Sequence, residues 1–171
     1  MEVSDDVGVL SLRSCSSQDT EAIGAALAPV LRAGDVVLLV GELGSGKTAL
    51  TRGLARALGS ADPVTSPTFT IMRHHDTDPF TFIHMDAYRL AGPNDVEDLG
   101  LLELLDHGAV AVIEWGDIVA DGLGPDHLDV RFAWVDESER TLDVVPVGRR
   151  WSEDGENVRL ALAPWEIATP C

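Results

Sequence analysis

Positive charge is scarce in this sequence. The 171 residues include 12 lysine and arginine residues against 29 aspartate and glutamate residues, which gives a formal net charge of −17 at pH 7. Lys47 is the only lysine, and the arginines are scattered without forming a basic cluster. Because such a charge balance repels a phosphate backbone, we expect no strong direct binding to nucleic acid. An acidic face remains suited to docking on a basic protein partner.

Cysteine and long apolar segments are scarce as well. Cys15 and Cys171 do not have the pattern of a disulfide framework, and the second of them is the last residue. Residues 1–6 lack the positive and apolar regions of a signal peptide, and no apolar segment approaches the length that spans a membrane. We therefore expect a reduced protein of the cytoplasm without membrane association.

Residues 41–48, Gly-Glu-Leu-Gly-Ser-Gly-Lys-Thr, fit the Walker A pattern G-x-x-x-x-G-K-[ST] of a phosphate-binding loop. Before them, residues 36–40 form a short aliphatic run that is typical of a strand buried on both faces. After them, apolar side chains at Leu50, Leu54 and Leu58 have helical spacing. The order of strand, glycine-rich loop and helix favours a nucleotide-binding loop over a chance match.

Each residue type in this loop suits phosphate binding. Gly41, Gly44 and Gly46 let the backbone curl so that its N–H groups point at phosphate oxygens, and the start of the following helix adds partial positive charge. The Lys47 ammonium reaches the outer phosphates, and the Thr48 hydroxyl is a ligand for Mg²⁺. The loop is therefore expected to bind the phosphates of a nucleotide together with Mg²⁺.

Two further segments place a carboxylate directly after a predicted strand. Asp86 follows the strand expected over 80–85, where it belongs either to a ligand site or to a solvated strand end. Glu114 follows the apolar run 109–113, where a Walker B element usually has an aspartate near Mg²⁺, and we favour that role over a surface acid. A zinc site built on His84 and Asp86 is disfavoured, because the other histidines lack ligand spacing.

A hydroxyl-rich segment lies at 64–71, between the loop and these strands. Pro67 keeps Ser66 extended, and the later part of the segment is strand-like. Downstream of a phosphate-binding loop, such a segment either acts as a switch that senses the outer phosphate or is an ordinary polar loop. The residue types alone favour the polar loop.

The remaining segments complete an α/β chain. A serine at 16 or 17 is expected to cap a helix with a kink or an early end near Ala28. Residues 94–97, Asn-Asp-Val-Glu, resemble a capping box at the start of a later helix through Leu105 that is broken at Gly100. The further expectations are a first strand at 9–12, a hairpin of 128–135 with 141–147, a small strand at 160–162 and fraying beyond Pro164.

Five motifs follow one another along the chain: the Walker A loop, Ser66-Pro67-Thr68-Phe69-Thr70, His84-x-Asp86-x-Tyr88-Arg89-Leu90, Glu97-x-Leu99-Gly100-Leu101 and Ile113-Glu114-Trp115. In this order they resemble the motifs of the bacterial TsaE (YjeE) family. The loop is generic, whereas the four later motifs are specific, and the similarity covers about 16–147. It implies an α/β fold of the P-loop NTPase type, with a mostly parallel sheet flanked by helices and an added antiparallel hairpin. The expected organisation is a single P-loop ATPase domain at 1–148 and a C-terminal extension at 149–171.

The resemblance also implies roles for individual residues. The phosphates would be wrapped by the loop and the start of its helix, namely Gly41, Gly44, Ser45, Gly46, Lys47, Thr48 and Ala49. Thr48 and Glu114 would hold Mg²⁺, with Trp115 beside the metal acid. The catalytic residues would be Asp86, Lys47 and Thr68, the last in a switch element, and Arg140 would approach the nucleotide from the hairpin. Ala87 departs from the family pattern, in which a larger apolar residue is more usual.

In that family the protein is the ATPase component of tRNA threonylcarbamoyladenosine synthesis, which implies ATP or ADP with Mg²⁺ as cofactors, and it docks on a partner pair, TsaB and TsaD. We expect hydrolysis that is weak alone and dependent on the pair, in support of modification at position 37 of tRNAs. A small P-loop kinase and a nucleotide-sensing interaction module remain as alternatives. A kinase usually needs several mobile arginines, and the segment 70–114 offers only Arg73 and Arg89.

Overall fold

A computed structural model describes residues 8–66, 70–168 and 171 of the chain. Its strands are β1 (Leu10–Ser14), β2 (Val36–Val40), β3 (Met72–Asp76), β4 (Thr81–Asp86), β5 (Val110–Glu114), β6 (His127–Trp134) and β7 (Arg140–Val147). Its α-helices are α1 (Ser17–Leu27), α2 (Lys47–Ala57), α3 (Asp95–Asp98), α4 (Leu101–Asp106), α5 (Arg149–Glu153) and α6 (Gly155–Leu162). Short 3₁₀ turns lie at Ala28–Val30, Gly116–Ile118, Ala120–Gly122 and Ala163–Trp165.

The strands form one sheet in the order β1-β7-β6-β2-β5-β4-β3. The four central strands β6, β2, β5 and β4 are parallel, whereas β1, β7 and β3 pair antiparallel at the two sides. Strand β6 belongs to both patterns, since it lies parallel to β2 and forms a hairpin with β7. The predicted α/β fold with a parallel centre and an added hairpin is therefore confirmed.

Helices cover both faces of the sheet and create two buried clusters. Val37 and Leu39 of β2 pack into the cluster that includes the apolar residues of α1 and α2. Leu38, between them, packs into the other cluster together with Leu101 of α4. Since side chains alternate across a strand, burial on both faces explains why β2 is apolar throughout.

Helices α1 and α2 meet at backbone contact distance. A Cβ atom on Gly24 would lie 2.0 Å from the Leu50 carbonyl oxygen, and a Cβ atom on Gly53 would lie 1.8 Å from the Glu21 carbonyl oxygen. Both positions therefore require glycine, although glycine lowers intrinsic helix propensity. This close packing fixes the position of α2 against α1, and with it the end of the glycine-rich loop that precedes α2.

Most local predictions agree with the structure. The Ser16 side chain accepts from the Asp19 N–H at 3.0 Å as the cap of α1, and α1 gives way to a 3₁₀ turn after Leu27. Gly100, with φ +73°, separates α3 from α4 as expected. The capping box at Asn94 was wrong, because its side chain makes no capping bond.

Strand β3 was missed by the sequence analysis. Strand character was expected in the later part of 64–71, of which 67–69 lie outside the described residues, whereas the strand begins at Met72 and includes three exposed positions, Arg73, His74 and Asp76. It pairs only with β4 and is an edge strand of the sheet. Because a strand at an edge can leave much of its surface in water, its polar sequence carries little strand signal.

The C-terminal segment packs on the cluster of α1 and α2. Trp151, Val158 and Leu162 are buried there, and Glu166 makes a β-bridge with Leu12 of β1. The small strand expected at 160–162 was wrong, since these residues close helix α6, whose buried positions are four residues apart. Fraying beyond Pro164 was also wrong for the described residues up to 168, because the bridge at Glu166 ties the chain to β1.

Two long-range contacts join this segment to the rest of the molecule. The guanidinium of Arg150 donates to both carboxylate oxygens of Asp35, at 2.9 and 2.6 Å. Cys15 and Cys171 form a disulfide with their Cα atoms 5.7 Å apart, so the prediction of reduced cysteines was wrong. The two cysteines are 156 residues apart in sequence and meet only because the segment folds back along β1.

Within the described ranges, no helix combines the length and the apolar character needed to cross a membrane.

Candidate functional site

The glycine-rich loop joins the end of β2 to the start of α2 at the centre of the sheet. Gly44 and Gly46 adopt φ angles of +75° and +110°, in the left-handed region that favours glycine. A Cβ atom on Gly41 would lie 2.7 Å from the Ser45 hydroxyl oxygen and 2.9 Å from the Cβ of Phe132. The three glycines of the motif are therefore required by the backbone conformation and by close packing against β6.

Lys47, the first residue of α2, turns its side chain back to the loop. Its Nζ donates to the carbonyl oxygens of Gly41 and Glu42, at 2.7 and 2.8 Å, and the residue is only 4% exposed. The ammonium also lies 4.6 Å from the ring centroid of Trp115, within the range of a cation–π contact. The ammonium is thus held at the loop, where the phosphates of a nucleotide would lie.

Burial lowers the pKa of Lys47 below 10.5, because a charged amine is less stable away from water. The nearby negative charges of Glu114, Asp86 and Asp117 oppose this effect and raise the pKa. These three acids surround the single lysine of the chain with negative charge, a setting typical of a site that binds a metal–phosphate complex.

Glu114 ends β5 and is almost fully buried next to α2. Its Oε1 accepts a hydrogen bond from the Thr48 hydroxyl at 2.8 Å and lies 2.9 Å from Nε2 of His84, which is completely buried on β4. A carboxylate and a hydroxyl are therefore in direct contact, although they are 66 residues apart in sequence. Sequence analysis had named both as metal ligands.

Asp86 and Glu114 are paired in the register of the parallel strands β4 and β5. The carboxyl ends of parallel strands meet at one edge of a sheet, so both acids lie at that edge next to the loop. Asp86 Oδ1 accepts from the Tyr88 N–H at 3.0 Å, which turns the chain after the strand. Trp115, with φ +57°, is the only described non-glycine residue with positive φ, and its ring lies 5.1 Å from that of Tyr88.

A cleft of about 340 Å³ separates the loop from the β6–β7 hairpin. It is lined by the start of α1, the loop, the start of α2 and the hairpin, namely Ser16, Ser17, Thr20, Gly44, Ser45, Gly46, Ala49, Glu137, Ser138 and Arg140. The guanidinium of Arg140 lies 3.7 Å from the ring centroid of Trp134 and donates to the Asp136 carbonyl oxygen at 2.7 Å. Arg140 is thus held on the wall of a cleft that opens on the loop.

The predicted site residues fall into two neighbouring groups. Lys47, Thr48, Glu114 and Asp86 cluster at the carboxyl edge of the central strands, whereas Ala49 and Arg140 line the cleft. Thr68 lies outside the described residues. The sequence analysis missed Asp117, for which it had no signal, and the contact of His84 with Glu114.

The donor set at this edge suits a small divalent cation that keeps several waters. Among the described residues, no group of three or more histidine, cysteine, aspartate or glutamate side chains could hold a metal ion. One hydroxyl and one carboxylate instead lie in contact beside a phosphate-binding loop. Mg²⁺ is typically bound by one or two protein oxygens together with phosphates and water, so these residues fit it.

A central parallel sheet with a glycine-rich loop between its middle strand and a helix defines the P-loop class of α/β folds. Residues 14–142 match the family described as "Threonylcarbamoyl adenosine biosynthesis protein TsaE". This chain belongs to the TsaE family, which takes part in the biosynthesis of the tRNA modification threonylcarbamoyladenosine, and the resemblance seen in the motifs is confirmed.

Individual relatives agree over most of the chain. The "tRNA threonylcarbamoyladenosine biosynthesis protein TsaE" of Streptomyces coelicolor is 46% identical over 138 residues, which cover 76% of this chain and 92% of the relative. The protein of the same name from Bacillus subtilis is 34% identical over 142 residues, covering 83% and 89%. The crystal structure of Bacillus subtilis YdiB superposes with a TM-score of 0.74 at 29% identity, over 90% of this chain and 95% of that one.

Proposed function

We propose that this protein is a Mg²⁺-dependent ATPase of the cytoplasm that supports a TsaB–TsaD complex in forming N6-threonylcarbamoyladenosine on tRNA. The observation that carries the proposal is the contact between Thr48 and Glu114, 2.8 Å apart, beside the buried ammonium of Lys47. A phosphate-binding loop, one cation and one metal acid at a single strand edge are the parts that ATP hydrolysis requires.

In this proposal the loop binds the phosphates. The backbone N–H groups of Gly41, Gly44, Ser45 and Gly46, and of the first turn of α2 up to Ala49, surround the phosphate oxygens. The Lys47 ammonium exchanges its bonds to the Gly41 and Glu42 carbonyl oxygens for bonds to the outer phosphates. Arg140, on the wall of the cleft, approaches the nucleotide from the hairpin side.

Thr48 and Glu114 are the proposed protein ligands of Mg²⁺. When bound, Mg²⁺ neutralises negative charge on the phosphates and so favours attack by water. Asp86, in register with Glu114, is within reach of the attacking water or of the metal's water shell, and we assign it a catalytic role. Thr68 is proposed as the switch residue on the grounds of the family resemblance alone.

Partner dependence is supported by the surface around the site. Leu43 at the tip of the loop is 86% exposed, Tyr88 is 65% exposed and Trp134 is 47% exposed. Several exposed large apolar side chains close to one site are compatible with docking of another protein there. The net charge of −17 is compatible with docking on a partner that itself binds tRNA. TsaB and TsaD are proposed as that partner on the grounds of the family resemblance alone.

The test is steady-state phosphate release by the purified protein, alone and with TsaB and TsaD, in parallel with threonylcarbamoylation of tRNA. We expect slow hydrolysis alone and faster hydrolysis with the pair, because docking orders the groups around the attacking water. Addition of small-molecule phosphate acceptors without the pair tests the kinase alternative. A fast rate that the pair leaves unchanged, with no ATP requirement for repeated tRNA modification, would contradict the proposal.

A further inference from the structure

Two buried histidines lie behind the proposed metal site. His84 of β4 is completely buried and His75 of β3 is 3% exposed. The antiparallel register pairs His75 with Phe82, and Phe82 lies two residues before His84 on the same strand. Since alternate residues of a strand share a face, both imidazoles belong to the face that packs on α2, as diagonal neighbours.

His84 is hydrogen-bonded to the oxygen of Glu114 that also accepts from Thr48. Its Nε2 lies 2.9 Å from Oε1, and the Thr48 hydroxyl lies 2.8 Å from the same atom. Two donors on one oxygen fix the rotation of the carboxylate. A buried carboxylate left with a single donor would lose both its fixed orientation and part of its solvation.

The remaining ring nitrogens of the two histidines complement each other. If Nε2 of a neutral His84 donates to Glu114, its Nδ1 is an acceptor. Within the described ranges, this Nδ1 and the Nε2 of His75 are buried ring nitrogens without hydrogen-bond partners. Buried polar atoms are normally paired, so two such atoms on diagonal neighbours point to a bond between them through one bridging water.

The other ring nitrogen of His75 lies next to the segment that follows α2. Nδ1 of His75 lies 3.3 Å from the Ser60 hydroxyl oxygen. Burial lowers the pKa of His75, which favours the neutral imidazole with one donor and one acceptor nitrogen. A neutral His75 can therefore hold His84 in one tautomer.

We propose that His84 is a positioning residue that orients Glu114 for Mg²⁺, and that His75 in turn fixes the tautomer of His84. The proposal rests on the metal role of Glu114 in the proposed function. Residues that orient a metal ligand from behind typically change metal affinity about 10- to 100-fold when they are replaced. Because both imidazoles are buried, neither is open to contact with a nucleotide, and only the magnesium-dependent part of nucleotide binding should depend on them.

The test measures the affinity of a fluorescent N-methylanthraniloyl ATP in excess Mg²⁺ and in EDTA. The quantity compared between variants is the ratio of the affinity in Mg²⁺ to the affinity in EDTA. We expect His84→Leu to reduce this ratio about 10- to 100-fold while leaving the affinity in EDTA unchanged. His84→Gln, whose side-chain amide can donate to the same oxygen, should restore most of the ratio. His74→Leu, the exposed neighbour on the opposite face of β3, is the matched control.

A folded His84→Leu protein with the wild-type ratio would overturn the proposal, as would a His84→Gln protein as impaired as His84→Leu. The tautomer is read separately, from imidazole ¹⁵N shifts of the nucleotide-free protein. We expect the Nε2–H form of His84 in the wild type and a mixture of tautomers in His75→Phe. An Nδ1–H form in the wild type would overturn the assignment. A wild type that binds the probe under neither condition would instead contradict the proposed function.

Discussion

Replacement of Lys47 by alanine removes the only lysine of the chain from the phosphate-binding loop. We expect nucleotide affinity to fall, because nothing else in the described part of the loop carries positive charge. A hydrogen bond to a charged group typically contributes about 1.5–3 kcal/mol, which corresponds to about one to two decades in affinity. The side chain also holds the Gly41 and Glu42 carbonyl oxygens, at 2.7 and 2.8 Å, so its loss loosens the loop in addition.

Two further variants separate charge from packing. Lys47→Met keeps most of the buried stem but not the ammonium, so it should bind nucleotide as weakly as Lys47→Ala. Arg56→Ala removes a positive charge from an exposed position of the same helix, where Arg56 pairs with Glu21, and should bind like the wild type. The assay is equilibrium binding of a fluorescent ATP analogue, with circular dichroism to confirm folding.

The pKa of Lys47 adds a pH dependence. Burial lowers this pKa below 10.5, and the charged form is the one that attracts phosphate. Affinity should therefore decrease as the pH rises towards the lowered pKa, and this decrease should be absent from Lys47→Met. Near-wild-type affinity in a folded Lys47→Ala protein would refute the phosphate-binding role of the loop.

Further predictions concern the metal, the catalytic acid, the C-terminal helices and the disulfide. Glu114→Gln should fold but lose Mg²⁺-dependent phosphate release, and unchanged turnover over a Mg²⁺ titration would reduce Glu114 to a structural acid. Asp86→Ala should lower kcat more than nucleotide affinity, whereas equal losses would assign it to ground-state binding. Trp151→Ala should lower the free energy of unfolding by about 3–5 kcal/mol in chemical denaturation, since it empties a fully buried site. Cys171→Ser should make the Cys15 thiol reactive to maleimide without reductant, and a wild type that reacts equally would argue against the disulfide.

Local sequence was informative where the interacting residues are close together in the chain. The strand β2, the glycine-rich loop and α2 lie within 36–57, and their glycines, apolar spacing and Lys-Thr pair predicted both the conformation and the phosphate chemistry. The hairpin of β6 and β7 and the helix break at Gly100 were predicted for the same reason. The role of Arg140 came only from the family resemblance, because no spacing rule connects it to the loop.

The sequence analysis considered His84 together with Asp86 but did not predict the contact of His84 with Glu114. His84 lies two residues before Asp86, so the period of a strand puts both on one face. That spacing was considered as a zinc site and disfavoured. Which acid the imidazole would meet depends on the pairing of β4 with β5, and parallel pairing is a long-range event without a local signature.

The sequence by itself determined the class of fold, the position of the phosphate-binding loop and the two acids at the strand ends. Each of these follows from periodicity, from glycine geometry or from residues that are neighbours in the chain. Only the tertiary structure decided which side chains meet: Thr48 with Glu114, Arg150 with Asp35, and Cys15 with Cys171. These pairs are 66, 115 and 156 residues apart, and their contacts arise from strand order and helix packing, which depend on the whole chain.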